Sequence, residues 1–433
     1  MSQYEKKLVR IEKMFHVPLP EMKKIIRDFH SEMDKGLRRQ NSSLKMIPAY
    51  VDRPTGREKG KFIALDLGGT NFRILELELK GRGRFGRVKS EKFVLGKKYI
   101  RGEGGRLFDF IAGCLKSFLK RNKMDGAAEV KAGFTFSFPV EQTAAASGRL
   151  HGWTKGFELK GTVGKDVAGL LNDAFLRSGL NNVKVAALVN DTVATLAAGS
   201  YCDKTCDVGL ILGTGTNACY AERLANIRKW RGPSLRSGEM IVNIEWGNFD
   251  RLKATPYDRL LDRECNNPRE QMLEKMISGM YLGRIAYFAL KGLGGCFGGI
   301  REFKTEYVSA IEADKSRNLG KTGRFLKKAG VPGSTLQDRQ ACKKVCEIVS
   351  LRASRIVSSC IAAVITKIDP GMKRSHTVAV DGSLYEKHPG FAGNIQKALR
   401  EISNRKEARI KISLTKDGSG IGAAVVAAVT SAQ

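Results

Sequence analysis

Two glycine-rich turns and one carboxylate at the end of an apolar strand are the residues best suited to chemistry. The first turn, Asp66-Leu67-Gly68-Gly69-Thr70-Asn71, closes the apolar run KFIALDL and is followed by Arg73. Glycines in a tight turn between strands let backbone N–H groups approach phosphate oxygens closely. The Asp at the strand end can hold Mg2+ through water, while Thr70 and Arg73 add donors. The second turn, Gly213-Thr214-Gly215-Thr216, follows the apolar run Val208 to Leu212. Two such turns facing each other would clamp a triphosphate, whereas either alone also reads as an ordinary glycine hairpin. Asp191 ends VAALVND and precedes a helical stretch, which leaves its carboxylate partly desolvated beside a helix N-terminus. That place suits a general base next to a hydroxyl, and it equally suits a helix N-cap.

Five segments then agree in order. They are LDLGGTNFR (Leu65 to Arg73), GFTFSFPVEQTAAASGRLHGWTKGF (Gly133 to Phe157) with Asn190-Asp191-Thr192, GTGTNACY (Gly213 to Tyr220), NIEWG (Asn243 to Gly247) and DGSGIGAAV (Asp417 to Val425). Together they resemble the eukaryotic hexokinase family, in its single-unit form, over about residues 10 to 428. The resemblance implies an actin-like, two-lobed α/β fold with a cleft between small and large domains. It also implies transfer of the γ-phosphoryl group of MgATP to the 6-hydroxyl of glucose and related hexoses. Asp191 would be the base, and Lys155 would stabilise charge on the transferring group. By the same resemblance the sugar is held by Ser137, Phe138, Thr154, Lys155, Asn190, Asp191, Asn217, Glu245 and Glu274. ATP would meet Asp66, Gly68, Gly69, Thr70, Asn71, Arg73 and Lys92 on the first lobe. On the second it would meet Gly213, Thr214, Gly215, Thr216, Asp381, Gly382, Ser383, Gly418 and Ser419, with Asp66 carrying Mg2+ through water. Three departures stand out: Arg269 replaces the Gly of the family's NPG, Arg284 the Glu of YLGE, and Ala194 the Gly of NDTVG. Ile421 also stands where many members have a small residue or Lys. Arg269 and Arg284 put sugar affinity or hinge behaviour in question.

Around these motifs the spacing predicts helices at Glu21 to Arg38, Leu107 to Leu119, Val163 to Arg177, Gln271 to Leu293 and Asp338 to Ile368. Strands are expected at KFIALDLGG, FRILELELKG, Lys131 to Pro139, Val183 to Val189, Val208 to Leu212, Thr377 to Val380 and Ile410 to Leu414. A strand, glycine turn, strand unit thus occurs twice. The expected division is an N-terminal helical segment over 1–58 packing on the large domain, a small domain over 59–204 and a large domain over 205–433. The last helix is free to return to the small lobe.

Composition limits the alternatives. The chain has 433 residues, 42% of them hydrophobic, which supplies real cores, and it shows no internal repeat. No signal peptide is apparent and no apolar run approaches the ~20 residues of a bilayer span, so a cytoplasmic protein with no membrane partner is expected. Nine scattered cysteines, without a CxxC, point to reduced thiols and to neither disulfides nor a cysteine metal site. The net charge is +31, from 75 Lys+Arg against 44 Asp+Glu. Basic residues recur from Arg82 to Arg101, Lys315 to Lys328 and Lys397 to Lys411 without a nucleic-acid motif. They are read as solvated faces with no nucleic-acid partner, although such a field attracts anionic nucleotides. GRGRFGRV at Gly81 to Val88 fits GxGxxG, yet strand and not helix follows it, so it is read as an exposed basic hairpin. A monomer or homodimer is expected. The rival function is a catalytically weak relative acting as a sugar sensor or scaffold, with a basic surface for acidic partners.

Overall fold

The computed structural model describes residues 3–69, 71–124, 126, 129–232, 234–404 and 409–431. Thr70, residues 405–408 of the third basic stretch and the terminal 432–433 lie outside the described residues.

The hydrophobic runs sort into two sheets. The first has five strands in the spatial order Val183–Val189, Val130–Phe136, Lys59–Leu67, Asn71–Lys80, Lys89–Val94. Lys59–Leu67 and Asn71–Lys80 pair antiparallel across the first glycine turn, with Asp66 opposite Arg73. The second sheet runs Ile47–Pro48, Glu239–Asn243, Thr216–Arg223, Cys206–Leu212, His376–Asp381, Ile410–Leu414. Its hairpin Cys206–Leu212 to Thr216–Arg223 closes over the second glycine turn. The duplicated strand, turn, strand unit is therefore real in three dimensions.

Strands that are apolar on both sides need cover on both faces. The amphipathic helices Gly105–Arg121 and Val167–Arg177 cover the outer face of the first sheet, sharing a core with Ile63, Leu65, Phe134 and Val185. Between the sheets lie the helices Asp191–Cys202 and Gly418–Ser431, packed on each other. The latter is apolar all round, with Ala423 to Ala427 fully buried, which only a fully covered helix can tolerate. It packs on strands of the first sheet, so the last helix does return there. Small residues set the spacing. A Cβ on Gly422 would lie 1.7 Å from the Ala194 carbonyl oxygen, and one on Gly133 2.0 Å from that of Ala423.

The helix Leu336–Ile368 forms the spine of the other side, started by a capping box of Thr335 and Asp338. The N-terminal helices Gln3–Phe15 and Leu19–Leu37 pack along it through Phe15, Met22, Phe29 and Met33, members of one core with Val345, Val349 and Ile356. This spine corrects one sequence expectation. By length and composition Leu336–Ile368 could cross a bilayer, yet 89% of its apolar window is buried in the fold, which makes it a core helix. The expected helix from Val163 begins only at Val167, because Asp166 caps it by accepting from the Ala168 N–H. The expected helix from Gln271 to Leu293 breaks into Met272–Ile277 and Leu282–Leu293. In the gap, the N–H groups of Gly279 and Met280 donate to the carbonyls of Gly213 and Thr214, at 2.8 and 3.0 Å. The break thus ties the helical section to the second glycine turn.

Candidate active site

The Asp191 helix begins against the second sheet, and its N-cap is Asn190, not Asp191. The Asn190 side chain accepts from the Val193 N–H at 2.9 Å and from the Thr192 hydroxyl at 3.0 Å. This removes the N-cap reading of Asp191. Asp191 Oδ1 accepts from the Thr192 N–H at 2.9 Å, and the residue as a whole is only partly exposed. Burial pushes Asp191 up from 3.8 to about 6, with Lys155 opposing the rise and Glu245 and Asp66 adding to it. A carboxyl group titrating near neutral pH with one cation close by is suited to accept a proton.

Lys155 reaches the site through an unusual backbone. Its φ is +56°, and its Nζ donates to the Ser137 carbonyl at 2.6 Å and sits 5.3 Å above the Phe138 ring. Its stem also lies over the first phosphate turn, where a Cβ on Gly69 would be 3.4 Å from Lys155 Cδ. Behind it, Phe136, Phe138, Trp153 and Phe157 interlock, with Phe138 to Trp153 and Phe138 to Phe157 both at 4.9 Å between ring centres. Phe138 is therefore buried support for the loop carrying Thr154 and Lys155, while Ser137 and Thr154 keep solvent access.

Asn217 comes from a strand of the second sheet, Glu245 from just past the strand Glu239–Asn243, and Glu274 from the helix Met272–Ile277. Asn217 Nδ2 donates to Glu245 Oε1 at 2.8 Å and to Asn243 Oδ1 at 2.9 Å, and Asn243 Nδ2 donates to the same Glu245 oxygen at 2.8 Å. Glu274 Oε2 accepts from the Thr216 N–H at 2.9 Å. Burial raises the Glu274 pKa; the Thr216 N–H works against the rise, and the charges of Glu245 and Asp191 add to it. Glu245 and Gln271 both take left-handed backbone, φ +55° and +52°. Like Lys155, they hold conformations that non-glycine residues adopt at a cost, of a kind that clusters at functional sites. Asn243 opens the NIEWG motif but was missed as a site residue. The signal was its spacing of two from Glu245 on a strand end. Trp246, also in that motif, ties the sugar-side elements to the glycine turn by donating from Nε1 to Thr216 Oγ1 at 2.9 Å.

The surroundings of the first glycine turn are organised around Arg73. Its guanidinium donates to Asp66 Oδ2 at 2.6 Å from Nη2 and 3.2 Å from Nε, and through Nη1 to Asp417. Ser419 Oγ donates to the same Asp66 oxygen at 3.0 Å, and the Ser419 carbonyl accepts from Thr135 Oγ1 at 2.9 Å. Lys92 is the exposed cross-strand neighbour of Arg73. Asp381 ends its strand beside this group. Burial raises its pKa, Asp417 adds to the rise and Arg73 opposes it. Gly382 has φ +131°, and a Cβ there would lie 2.3 Å from the Leu212 carbonyl oxygen, so the approach to the second glycine turn needs glycine. Ser383 then opens a short helix and Gly418 the last one. Gly68 and Gly213 close their turns by donating to the carbonyls of Asn71 and Gly215, both at 3.0 Å. Thr70 lies outside the described residues. Asp66 and Asp417 both bind the Arg73 guanidinium, and Asp381 lies within reach of its charge. Among the described residues no group of three or more such side chains is placed to ligate a metal ion directly, so a divalent cation here would be held through water.

Arg269 has φ +67°, which explains why glycine suits that place, and its N–H donates to Asp262 at 2.9 Å. Arg284 pairs with Glu264 and stacks over Tyr287 at 4.0 Å. Both departures are absorbed by partners outside the sugar-side cluster.

Comparison with known proteins agrees with this geometry. Two family models, both described as Hexokinase, match residues 7–201 and 207–429. A curated relative named Hexokinase-3 from Oryza sativa subsp. japonica is 40% identical over 96% of this chain and 88% of its own length. Hexokinase-1 from Spinacia oleracea is 40% identical over 95% and 88%. Among solved structures, the hexokinase from Schistosoma mansoni complexed with glucose superposes with a TM-score of 0.84 at 34% identity, covering 98% of this chain and 99% of that one. A ROK hexokinase from Thermus thermophilus, at 18% identity and TM-score 0.52, covers 85% of this chain and 97% of that one and shares the fold.

Proposed function

The chain belongs to the hexokinase family, with its actin-like two-lobed fold, and on that premise we propose that it phosphorylates glucose and related hexoses at the 6-hydroxyl using MgATP. The observation that carries this reading is Asp191: a carboxylate freed from capping, raised by burial to about 6 and lying within reach of the charges of Lys155 and Glu245. Asn217, Glu245 and Glu274, pre-oriented by Asn243 and the Thr216 N–H, hold the sugar hydroxyls. Such a buried polar set rejects ligands that leave it unpaired. Asp191 takes the proton of the 6-hydroxyl as that oxygen bonds to the γ-phosphorus and the bond to the β-phosphate bridging oxygen breaks. The proton ends on Asp191, and ADP leaves with the electron pair. The amides of the two glycine turns and Arg73 hold the phosphates, while Lys155 faces the charge that builds on the transferring group. When bound, Mg2+ neutralises charge on the phosphate oxygens, and Asp66, Asp381 and Asp417 are the carboxylates that would hold it through water. Closure of the lobes over the sugar keeps water from accepting the phosphoryl group. Incubation with glucose and MgATP, followed by phosphorus NMR, tests the reaction. A new ester at the 6-position is expected, and a folded protein that yields none would contradict it.

A further inference from the structure

The chain passes between the two sheets three times, at 49–58, at 203–205 and at 415–417. The first two passages lie side by side. Ala49 and Val51 still bond to Ile241 of the second sheet, whereas the Gly56 carbonyl already accepts from the Gly83 N–H of the basic hairpin on the first. Arg53 sits at the changeover. One terminal nitrogen of its guanidinium donates to the carbonyls of Lys204 and Cys206, at 2.7 and 2.8 Å. The other pairs with Asp207 Oδ1 at 2.9 Å, and the Asp207 side chain is 1% exposed. Asp207 is fixed in turn by Arg374 at 2.8 Å and by His376 at 2.7 Å, and His376 reaches Asp369. The second passage is anchored to the same strand start, because Thr377 Oγ1 donates to Asp203 at 2.7 Å and its N–H to the Thr205 carbonyl.

We infer that Arg53 is a positioning residue of the hinge, a single side chain that rivets the first two of the three inter-lobe passages to the base of the second sheet. Lobe closure concentrates dihedral change in a few connecting residues. A planar fork that spans two carbonyls and a carboxylate limits where that change occurs, and lysine cannot reproduce its geometry. With Arg53 in place the passages turn together, so sugar binding on one lobe is converted into a defined closure. Without it each passage flexes separately, and part of the sugar binding energy is lost in ordering them. The inference rests on the sugar-kinase reading above, and the experiment separates the two.

Arg53→Lys keeps a charge beside Asp207 but cannot span the carbonyls. Arg374→Gln removes a half-exposed cation from the same cluster that touches neither passage. Amide hydrogen exchange in residues 52–58 and 203–207 should quicken in Arg53→Lys and stay as in the unmodified protein in Arg374→Gln; this readout needs no activity. In an active protein, Arg53→Lys should raise the KM for glucose about fivefold or more with kcat lowered less than about twofold, a loss of binding and not of chemistry. It should also reduce the glucose-induced contraction seen by small-angle scattering. Unchanged exchange in Arg53→Lys, or equal changes in Arg374→Gln, would overturn the rivet. An unmodified protein that makes no sugar phosphate would instead contradict the kinase reading and leave the exchange comparison to decide the hinge.

Discussion

At the residue scale, the account turns on a carboxylate held in an unfavourable place. A pKa raised from 3.8 to about 6 means that the folded protein binds more protons than the unfolded chain between those values. Stability contributed at this position is therefore present below about pH 4 and is lost as pH rises through about 6. One pKa unit corresponds to about 1.4 kcal/mol, so, discounted for the weakened hydrogen bond from the Thr192 N–H, Asp191→Asn should stabilise the protein by about 1–2 kcal/mol at pH 7. Thermal unfolding at pH 7 and pH 4 checks this; the gain should vanish at the lower pH. Activity runs the opposite way, because the base must be ionised. The kcat/KM for glucose should fall on the acid side with an apparent pKa near 6, read from a pH–rate profile. Asp191, Asn217, Glu245 and Glu274 were legible in the sequence as candidates through their motifs, and in the fold Glu245 and Asp191 both act electrostatically on Glu274 while Asn217 bonds to Glu245. Asn243 was not, because its one signal, a spacing of two from Glu245 at a strand end, gains meaning only once Glu245 is seen to accept from it. Nor was the buried role of Phe138 legible, since an aromatic next to a sugar loop reads alike as ligand or support.

At the element scale, the two helices between the sheets pack on each other, and they can do so closely because glycine lets their backbones touch. Gly422→Ala would place a methyl group 1.7 Å from the Ala194 carbonyl oxygen. It should destabilise the protein by about 2 kcal/mol or more, measured by denaturant unfolding. The family's Gly at the place of Ala194 marks the same close approach from the other side. On the spine helix, Arg352 meets Asp258 with bonds of 2.6 and 2.8 Å, both side chains 3% exposed. Arg352→Met leaves Asp258 buried without its cation and should cost about 3–5 kcal/mol in the same measurement. Strands and long helices were legible because their periodicity is strong. The break at Ser278 was not, since only the distant carbonyls of Gly213 and Thr214 call for it. The start at Val167 was carried by Asp166, a capping residue hidden within a run that is helical in pattern on both sides.

At the scale of the whole molecule, the net charge is +31, and the proposed reaction brings a polyanion to this surface. Residues such as Arg82, Arg84, Lys92 and Lys97 stand exposed around the lobe that carries the first glycine turn. Attraction of this kind is screened over about 10 Å at 0.1 M salt. The kcat/KM for MgATP should therefore drop severalfold as ionic strength rises from low to physiological, while that for neutral glucose changes little. Steady-state kinetics at several salt concentrations, with each substrate varied in turn, decides it. The two-sheet architecture itself was legible as a repeated strand, glycine turn, strand unit. The side-by-side passages between the lobes were not, because they pair Arg53 with residues about 150 positions away by sequence count.

The most direct test of the central claim compares the unmodified protein with Asp191→Ala in glucose phosphorylation and in glucose binding. Turnover on the order of 10 s⁻¹ for the unmodified protein, reduced at least about 100-fold in the variant while glucose still binds, is the expected result. A variant that binds glucose and phosphorylates it at the unmodified rate would contradict the assignment of Asp191 as the base.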